Sequence, residues 1–293
     1  MKLKDRTFSE YRNFPWHGWV GLGLVAAFWY LNWSLSGLRT NWGFFPMWVG
    51  YSLTVDALVY LRTGTSLFTR SWRKYLGLFL VSAPVWWIFE AFNLRLQNWY
   101  YDGGEFFTPF QFWFWATLSF STVIPAVFGS AELAASFGFI QRLGKGPIIR
   151  GTKRVTWAFF SSGFIMIALM LLSPNYFFPF VWLSVYFILG PINVWMGNRS
   201  LTEWTGKGDW RPVVALWFGV LITGFFWEMW NFFSYPKWIY HVPYVGFLKV
   251  FEMPILGYTG YLPFAMELFA MYHLAAGLFG EKKTDYVQIA PES

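Results

Sequence analysis

Long apolar stretches separated by short polar loops dominate the chain. A helix needs about 20 mostly apolar residues to cross the hydrocarbon core of a bilayer. Eight stretches have about this length, and they predict an all-α polytopic membrane protein with about eight transmembrane helices. The last stretch is interrupted by Pro254, Gly257, Gly260 and Pro263, so it is either one kinked helix with an extension or two shorter pieces. The stretches cover residues 19–38, 42–61, 75–92, 110–133, 155–172, 177–196, 213–232 and 247–280.

The basic residues alternate from loop to loop. Lys and Arg concentrate in the cytoplasmic loops of membrane proteins. If the N-terminus is cytoplasmic, the eight spans place 18 of the 22 basic residues on the inside. The polar, basic segment 1–17 precedes an apolar run that is too long for the core of a signal peptide. We therefore expect a multi-pass protein of the cell membrane with a retained first span and both termini cytoplasmic.

The composition agrees with lipid as the main solvent. Apolar residues make up 56% and charged residues 13% of the chain, whereas soluble domains carry about 25% charged residues. The net charge of +7 is spread over many short loops, which argues against a nucleic-acid partner. The lack of cysteine excludes disulfides and thiol nucleophiles. The three histidines show no paired spacing, so we expect no metal site and no cofactor.

A sequence motif recurs about 138 positions later in the chain. Residues 89–93 read FEAFN and residues 227–231 read WEMWN. Pro125 and Pro263 keep the same spacing, and the aromatic segments 99–101 and 238–240 differ from it by one position. We interpret this as two tandem four-helix repeats, which share one orientation because each has an even number of helices. The predicted organisation is a first repeat with a basic N-terminal segment (1–141), a basic cytoplasmic linker (142–154), a second repeat (155–280) and a C-terminal tail (281–293).

Glu90 and Glu228 occupy matching positions in the third and seventh spans. Ionisable residues inside a membrane are costly and mark functional sites. Asn93 and Asn231 follow three residues later, so each lies on the same helix face as its glutamate. A neutral glutamic acid in an apolar pocket can act as a general acid. The alternative is structural: each Glu–Asn pair ties helices together or caps a span.

Two further acids are candidates for a catalytic role. Asp56 falls near the middle of the second span, where a carboxylate is costly. Glu252 begins the last stretch and precedes Pro254. Neither has a strict counterpart in the other repeat.

Aromatic residues cluster around both glutamates in sequence. Aromatic faces stabilise cations at short range, so a pocket of this kind suits protonation of an alkene followed by carbocation chemistry. The alternative is an aromatic belt at the membrane interface. The predicted substrate-binding residues are Trp87, Trp99, Tyr101, Trp227, Trp230, Trp238 and Tyr240.

The second copy resembles the membrane carotenoid cyclase (lycopene cyclase domain) and carotenoid hydratase group. The resemblance rests on residues 227–240, Pro254 and Glu267, covers about the last 60 residues, and extends more faintly to residues 86–132. It implies a small multi-span enzyme with intramembrane acids that acts on an isoprenoid. The cyclases' Pro-x-Glu-Glu motif does not occur at Pro263, where Glu267 follows four residues later.

Three functions stay open at this point. The first is an intramembrane enzyme that cyclises or hydrates an isoprenoid, carotenoid or other lipid by carboxylic-acid catalysis. The second is a transporter or lipid-binding protein with a pseudo-symmetric Glu/Asn site. The third is a structural subunit of a membrane complex. In each case the expected partners are the bilayer and, for the first two, a lipid or isoprenoid ligand.

Overall fold

The computed structural model describes residues 13–290 and is predominantly α-helical in this range. The helices follow the apolar stretches of the sequence, and short helices mark the turns between them. Three 3-10 segments (Gly104–Phe106, Phe178–Trp182 and Ile255–Gly257) complete the helical structure. The α-helices are α1 (Trp16–Ser34), α2 (Thr40–Thr63), α3 (Leu67–Arg70), α4 (Trp72–Leu96), α5 (Pro109–Phe120), α6 (Val123–Ala135), α7 (Gly138–Gln141), α8 (Lys153–Leu172), α9 (Pro174–Phe177), α10 (Ser184–Met196), α11 (Thr202–Thr205), α12 (Arg211–Phe232) and α13 (Tyr258–Leu278).

Six helical segments of the described chain are long and apolar enough to cross a membrane. The prediction of a helical membrane protein is therefore confirmed, while the count of eight spans stays a prediction. The two remaining long helices, α1 and α13, have 19 and 21 residues and are not among these six segments. The six segments are Thr40–Thr63, Trp72–Leu96, Pro109–Ala135, Lys153–Leu172, Pro174–Met196 and Arg211–Phe232.

Three of the predicted stretches contain breaks. In the stretch 177–196, the 3-10 segment Phe178–Trp182 precedes α10, which begins at Ser184. The stretch 110–133 is divided into α5 and α6 because Pro125 has no N–H to donate to the carbonyl group of Ser121. Ser82 bridges the break: its hydroxyl donates to the carbonyl of Phe120 and accepts from the amide of Ile124. In the stretch 247–280, only residues 258–278 form an α-helix, and the preceding residues form a short hairpin.

Four short strands lie at one end of the bundle, which we call the strand end. Strand β1 (Trp99–Asp102) pairs antiparallel with β2 (Lys237–Tyr240), and β3 (Lys249–Val250) pairs with β4 (Met253–Pro254). The β1–β2 register is reciprocal between the aligned segments. Trp99 pairs with Tyr240 and Tyr101 pairs with Trp238, around a central pair of Tyr100 and Ile239. A two-fold axis between two copies of one unit requires such a register. The tandem repeat itself stays a prediction.

The opposite end of the bundle, which we call the basic end, carries α3, α7, α11 and the C-terminal segment. Residues 281–290, predicted as a tail, fold back onto this end. The buried Tyr286 donates from its hydroxyl to the carbonyl of Leu67 over 2.7 Å. The amide of Gln288 donates to Glu132, which also pairs with Arg70. The segment thus packs against α3 and α6 of the first half of the chain.

Close helix contacts depend on glycine at two crossings. At the α1–α2 crossing, a Cβ on Gly21 would lie 2.7 Å from the carbonyl oxygen of Gly50, and one on Gly50 would lie 2.8 Å from that of Gly21. At the α6–α12 crossing, a Cβ on Gly219 would lie 2.4 Å from the backbone nitrogen of Ala131. Small residues let helix backbones approach in a lipid environment, where packing drives association.

Candidate functional site

Glu90, near the strand end of α4, receives three hydrogen bonds on one oxygen. Oε1 accepts from Trp86 Nε1 at 2.9 Å, Trp99 Nε1 at 3.0 Å and the Tyr101 hydroxyl at 2.6 Å. Trp86 precedes Glu90 by one helical turn, whereas Trp99 and Tyr101 come from β1. The side chain is half-buried. Glu90 therefore holds β1 against α4 through aromatic donors.

Glu228, near the strand end of α12, has a related but more enclosed environment. Its Oε1 accepts from the hydroxyls of Tyr240 at 2.8 Å and Tyr261 at 2.7 Å. The residue is 0% exposed, and its Oε2 has no hydrogen-bond partner. The indole of Trp238 lies beside the carboxyl group without reaching standard hydrogen-bond geometry.

The tyrosine hydroxyls act as donors in both sites. Burial, and secondarily the neighbouring Glu90, raise the pKa of Tyr101 well above its usual value. Burial and Glu228 do the same to the pKa of Tyr240. Both hydroxyls are therefore protonated at neutral pH, and their protons are committed to the carboxyl groups.

One donor has changed position between the two sites. In the first site, an aromatic donor, Trp86, stands on the glutamate's own helix, and the aligned position on the facing helix is Val123. In the second site, the positions 138 residues later are Gly224 on the glutamate's helix and the donor Tyr261 on the facing helix. A Cβ on Gly224 would lie 2.7 Å from the Tyr261 ring. Each site thus combines one large and one small side chain at these two positions, in opposite order.

The two asparagines fasten the strands. Asn93 Nδ2 donates to the carbonyl of Trp99 at 2.8 Å, and its Oδ1 accepts from the Trp99 amide at 3.3 Å. Asn231 makes the same pair of bonds to Trp238, at 2.7 and 2.9 Å. Each asparagine side chain therefore bonds to both the N–H and the C=O of one strand residue, as a neighbouring strand would. In this structure both asparagines are positioning residues for the strands.

A cavity of about 610 Å³ lies between the two sites at the strand end. Its volume falls in the range of about 300–1,000 Å³ that is typical of small-molecule sites. Both halves of the chain contribute to the wall, which is mostly apolar and aromatic. Neither glutamate lines the cavity. The tyrosine and tryptophan side chains that are bonded to the glutamates form the wall instead. Wall residues include Trp86, Trp99, Tyr101, Trp115, Phe120, Val123, Phe178, Trp182, Trp227, Trp238, Tyr240, Tyr261 and Phe264.

Five of the seven predicted substrate-binding residues line this cavity: Trp99, Tyr101, Trp227, Trp238 and Tyr240. The other two lie elsewhere. Trp87 points to the opposite side of α4, where it stacks on Trp113 at 4.0 Å and donates to Thr117. Trp230 is buried against Trp48 and Trp29 in the core.

The two additional acids lie outside the cavity wall. Glu252 pairs with Lys237 over 2.5 Å at the strand end. Asp56 is buried toward the basic end, where it accepts from the Ser66 hydroxyl at 2.6 Å and the Phe68 amide at 2.9 Å, with His17 at 3.1 Å. These bonds fix the start of α3, which accounts for a carboxylate at that depth. The structure therefore does not bring Asp56 together with Glu90 and Glu228.

Several wall residues of the second half were not predicted from the sequence, and two of them, Tyr261 and Trp182, contact predicted site residues. Tyr261 donates to Glu228, but it aligns with Val123, so a search for matching pairs passes over it. Trp182 stacks on Phe89 at 5.5 Å and Trp99 at 5.9 Å, and it lies in a 3-10 segment within an apolar stretch. Trp182 lies 134 positions after Trp48, which packs on Trp227 at 5.4 Å, so a search that allows a gap in the 138-position spacing could have paired the two residues.

Within residues 13–290, no group of three or more His, Asp and Glu side chains is arranged to hold a metal ion. No known protein family, curated protein or solved structure matches the chain. The fold and the site together define the class: a helical integral membrane protein with an aromatic cavity enclosed by both halves of the chain.

Proposed function

We propose that the chain binds an apolar lipid of the isoprenoid or acyl type in the cavity at the strand end. The observation that carries the proposal is the enclosed aromatic wall between two carboxyl sites. Such a wall offers dispersion and ring-face contacts along its length and few free polar groups. Membrane lipids reach a cavity of this kind by diffusion within the bilayer.

Mass spectrometry of the lipids that copurify with the protein tests this proposal directly. Ala116 lines the cavity, and Ala116→Phe would fill part of it. Leu118→Phe, on the same helix but outside the wall, is the matched control. We expect the copurified lipid to be depleted in Ala116→Phe and retained in Leu118→Phe. Equal lipid in both variants, or none in the unmodified protein, would contradict the proposal.

A second candidate is an enzyme that cyclises or hydrates an isoprenoid by acid catalysis. One observation favours it: Glu228 is fully buried, has an unpartnered Oε2, and is joined to the cavity wall by two tyrosine hydroxyls. Transfer of a proton from the carboxyl group to a bound alkene requires the Tyr261 hydroxyl to turn from Glu228 Oε1 toward the cavity, to give its proton to the alkene and to accept the carboxyl proton in exchange. Glu228→Gln keeps the acceptor oxygen but removes the transferable proton. It should lower turnover by roughly 10²-fold or more while lipid binding persists.

We further propose that the two halves arose from one four-helix unit and that the basic end faces the cytoplasm. The corresponding Glu–Tyr and Asn–strand bonds and the reciprocal β1–β2 register support the duplication. The loop charges support the orientation. The chain has no native cysteine. Lys145→Cys should therefore resist, and Glu105→Cys should accept, an impermeant thiol reagent added to intact cells. The reverse labelling pattern would overturn the orientation.

A further inference from the structure

The free polar atoms of the cavity region are mainly acceptors. Asn98, which is 3% exposed, and Asn41 both line the cavity, and the Oδ1 atom of each lacks a hydrogen-bond partner. Glu228 Oε2, behind the wall, is a third unpartnered acceptor. A buried polar atom without a partner is costly, so a ligand that satisfies it gains affinity. Trp238 Nε1, also on the cavity wall, is a buried donor without a partner.

The wall donors that lie next to the two glutamates are already engaged. The indole N–H groups of Trp86 and Trp99 and the hydroxyls of Tyr101, Tyr240 and Tyr261 all point to a carboxyl oxygen. A hydroxyl that donates keeps its oxygen lone pairs available. The three tyrosine residues therefore present acceptor oxygens to the cavity. Lys237, which also lines the wall, is paired with Glu252.

The wall also favours positive charge. Aromatic ring faces attract cations, most strongly where water is excluded. Two carboxyl groups stand one hydrogen bond behind these rings, at 2.6–3.0 Å from their donors. A cation in the cavity would favour the ionised form of both carboxyl groups, which would then act as its counter-charges. A carboxylate or phosphate ligand would meet acceptors and like charge instead.

We infer that the polar group of the lipid bound in this cavity is a protonated amine, which donates hydrogen bonds to Asn98 and to the tyrosine oxygens. This inference rests on the proposed lipid-binding function and narrows its ligand class. It separates three alternatives for the head group: an alcohol donates but carries no charge, a quaternary ammonium is charged but cannot donate, and a carboxylate does neither.

A series of single-chain probes distinguishes these properties. The full chain is purified in dodecyl maltoside, and apparent dissociation constants are measured by native mass spectrometry for hexadecylamine, hexadecanol, hexadecyltrimethylammonium and hexadecanoate. We expect hexadecylamine to bind at least about tenfold more tightly than any of the others, because it alone combines charge with donors. Equal binding of the trimethylammonium probe would overturn the acceptor role of Asn98 and the tyrosines.

Two variants test the named atoms. Asn98→Leu removes an unpartnered oxygen, so it should weaken hexadecylamine binding about tenfold without lowering protein stability. Tyr261→Phe should weaken it similarly. Tyr258→Phe is the matched control, because that hydroxyl bonds to the carbonyl of Val250 and lies outside the cavity wall. Unchanged amine affinity in both Asn98→Leu and Tyr261→Phe would overturn the inference.

The outcomes also separate this inference from the function on which it rests. If all four probes bind with similar affinity and Ala116→Phe abolishes that binding, the cavity is a lipid site and the amine preference is wrong. If no probe binds the unmodified protein, the proposed lipid binding fails as well.

Discussion

The Glu90 and Glu228 sites share a plan but differ in how completely they are enclosed. Glu90 is half-buried and receives three donors, two of them indoles. Glu228 is fully buried, receives two tyrosine hydroxyls, and keeps one oxygen without a partner. Both carboxyl groups accept all of their hydrogen bonds on one oxygen, so the sites differ in burial and in the number and type of donors. Under the functions proposed above, Glu228 is the group expected to interact with a bound molecule, and Glu90 is the group expected to hold the strand.

The largest difference should appear when each carboxyl group is removed. Glu228→Ala leaves two buried hydroxyls without acceptors, at about 1–3 kcal/mol each. We expect it to lower the free energy of unfolding by about 3 kcal/mol or more, measured by denaturant titration in detergent. Glu90→Ala should cost less, because Glu90 itself is only half-buried and solvent that enters the space it leaves can accept from the freed donors. Glu→Gln at either site should restore most of the stability. A larger cost at Glu90 would reverse the comparison.

The side chains at positions 224 and 261 should be strongly coupled in a double-mutant cycle. Gly224→Trp places a Cβ and an indole against the Tyr261 ring and should destabilise the protein by more than about 2 kcal/mol. Tyr261→Val makes room for the indole, so the double variant copies the arrangement of Trp86 and Val123. We expect a favourable coupling of about 1 kcal/mol or more between the two changes. Additive effects would argue against equivalent positions.

The asparagines should affect the strands locally. Asn93→Leu and Asn231→Leu each remove two hydrogen bonds to one strand residue, which should cost about 1–3 kcal/mol. Hydrogen exchange should accelerate at the amide of Trp99 in the first variant and at that of Trp238 in the second. If exchange at the other strand amides rises equally in both variants, the two strands open as one unit.

The smallest expected difference in stability concerns the N-termini of α4 and α12. At α12, Asp209 accepts from the amide and guanidinium of Arg211. Its hydrogen bond with Arg211 is the main cause that lowers the pKa of Asp209 below its ordinary value of 3.8. At α4, the neutral Ser71 accepts from the amide of Lys74. Because the folded-state pKa of Asp209 is depressed, its contribution is present above about pH 4 and is lost as the pH falls below it.

Asp209→Asn should therefore cost about 0.2–1 kcal/mol at pH 7, and little at pH 3. Ser71→Ala should show a cost that does not change with pH. Thermal unfolding of both variants at pH 7 and pH 3 measures this difference. A pH-dependent cost at Ser71, or a constant one at Asp209, would contradict the assignment.

The amino-acid sequence alone determined the class of fold and much of the site. Apolar stretches of about 20 residues allow one structure in lipid, since a helix satisfies its own backbone hydrogen bonds. The recurring Glu–x–x–Asn pattern singled out both carboxyl groups and both asparagines, but it did not predict that the asparagines bind the strands. Five predicted aromatic residues line the cavity because they flank those glutamates in sequence or on the following strands.

Tertiary packing decided the rest. The position of Asp56 beside α3 and the orientation of Trp87 away from the cavity depend on which helix face meets which neighbour, and apolar stretches without strong periodicity do not encode this. Tyr261 reaches Glu228 only because Gly224 leaves space on the facing helix. Such a contact between residues 33 positions or more apart depends on the crossing of two helices, so it follows from the assembled bundle and not from either segment alone.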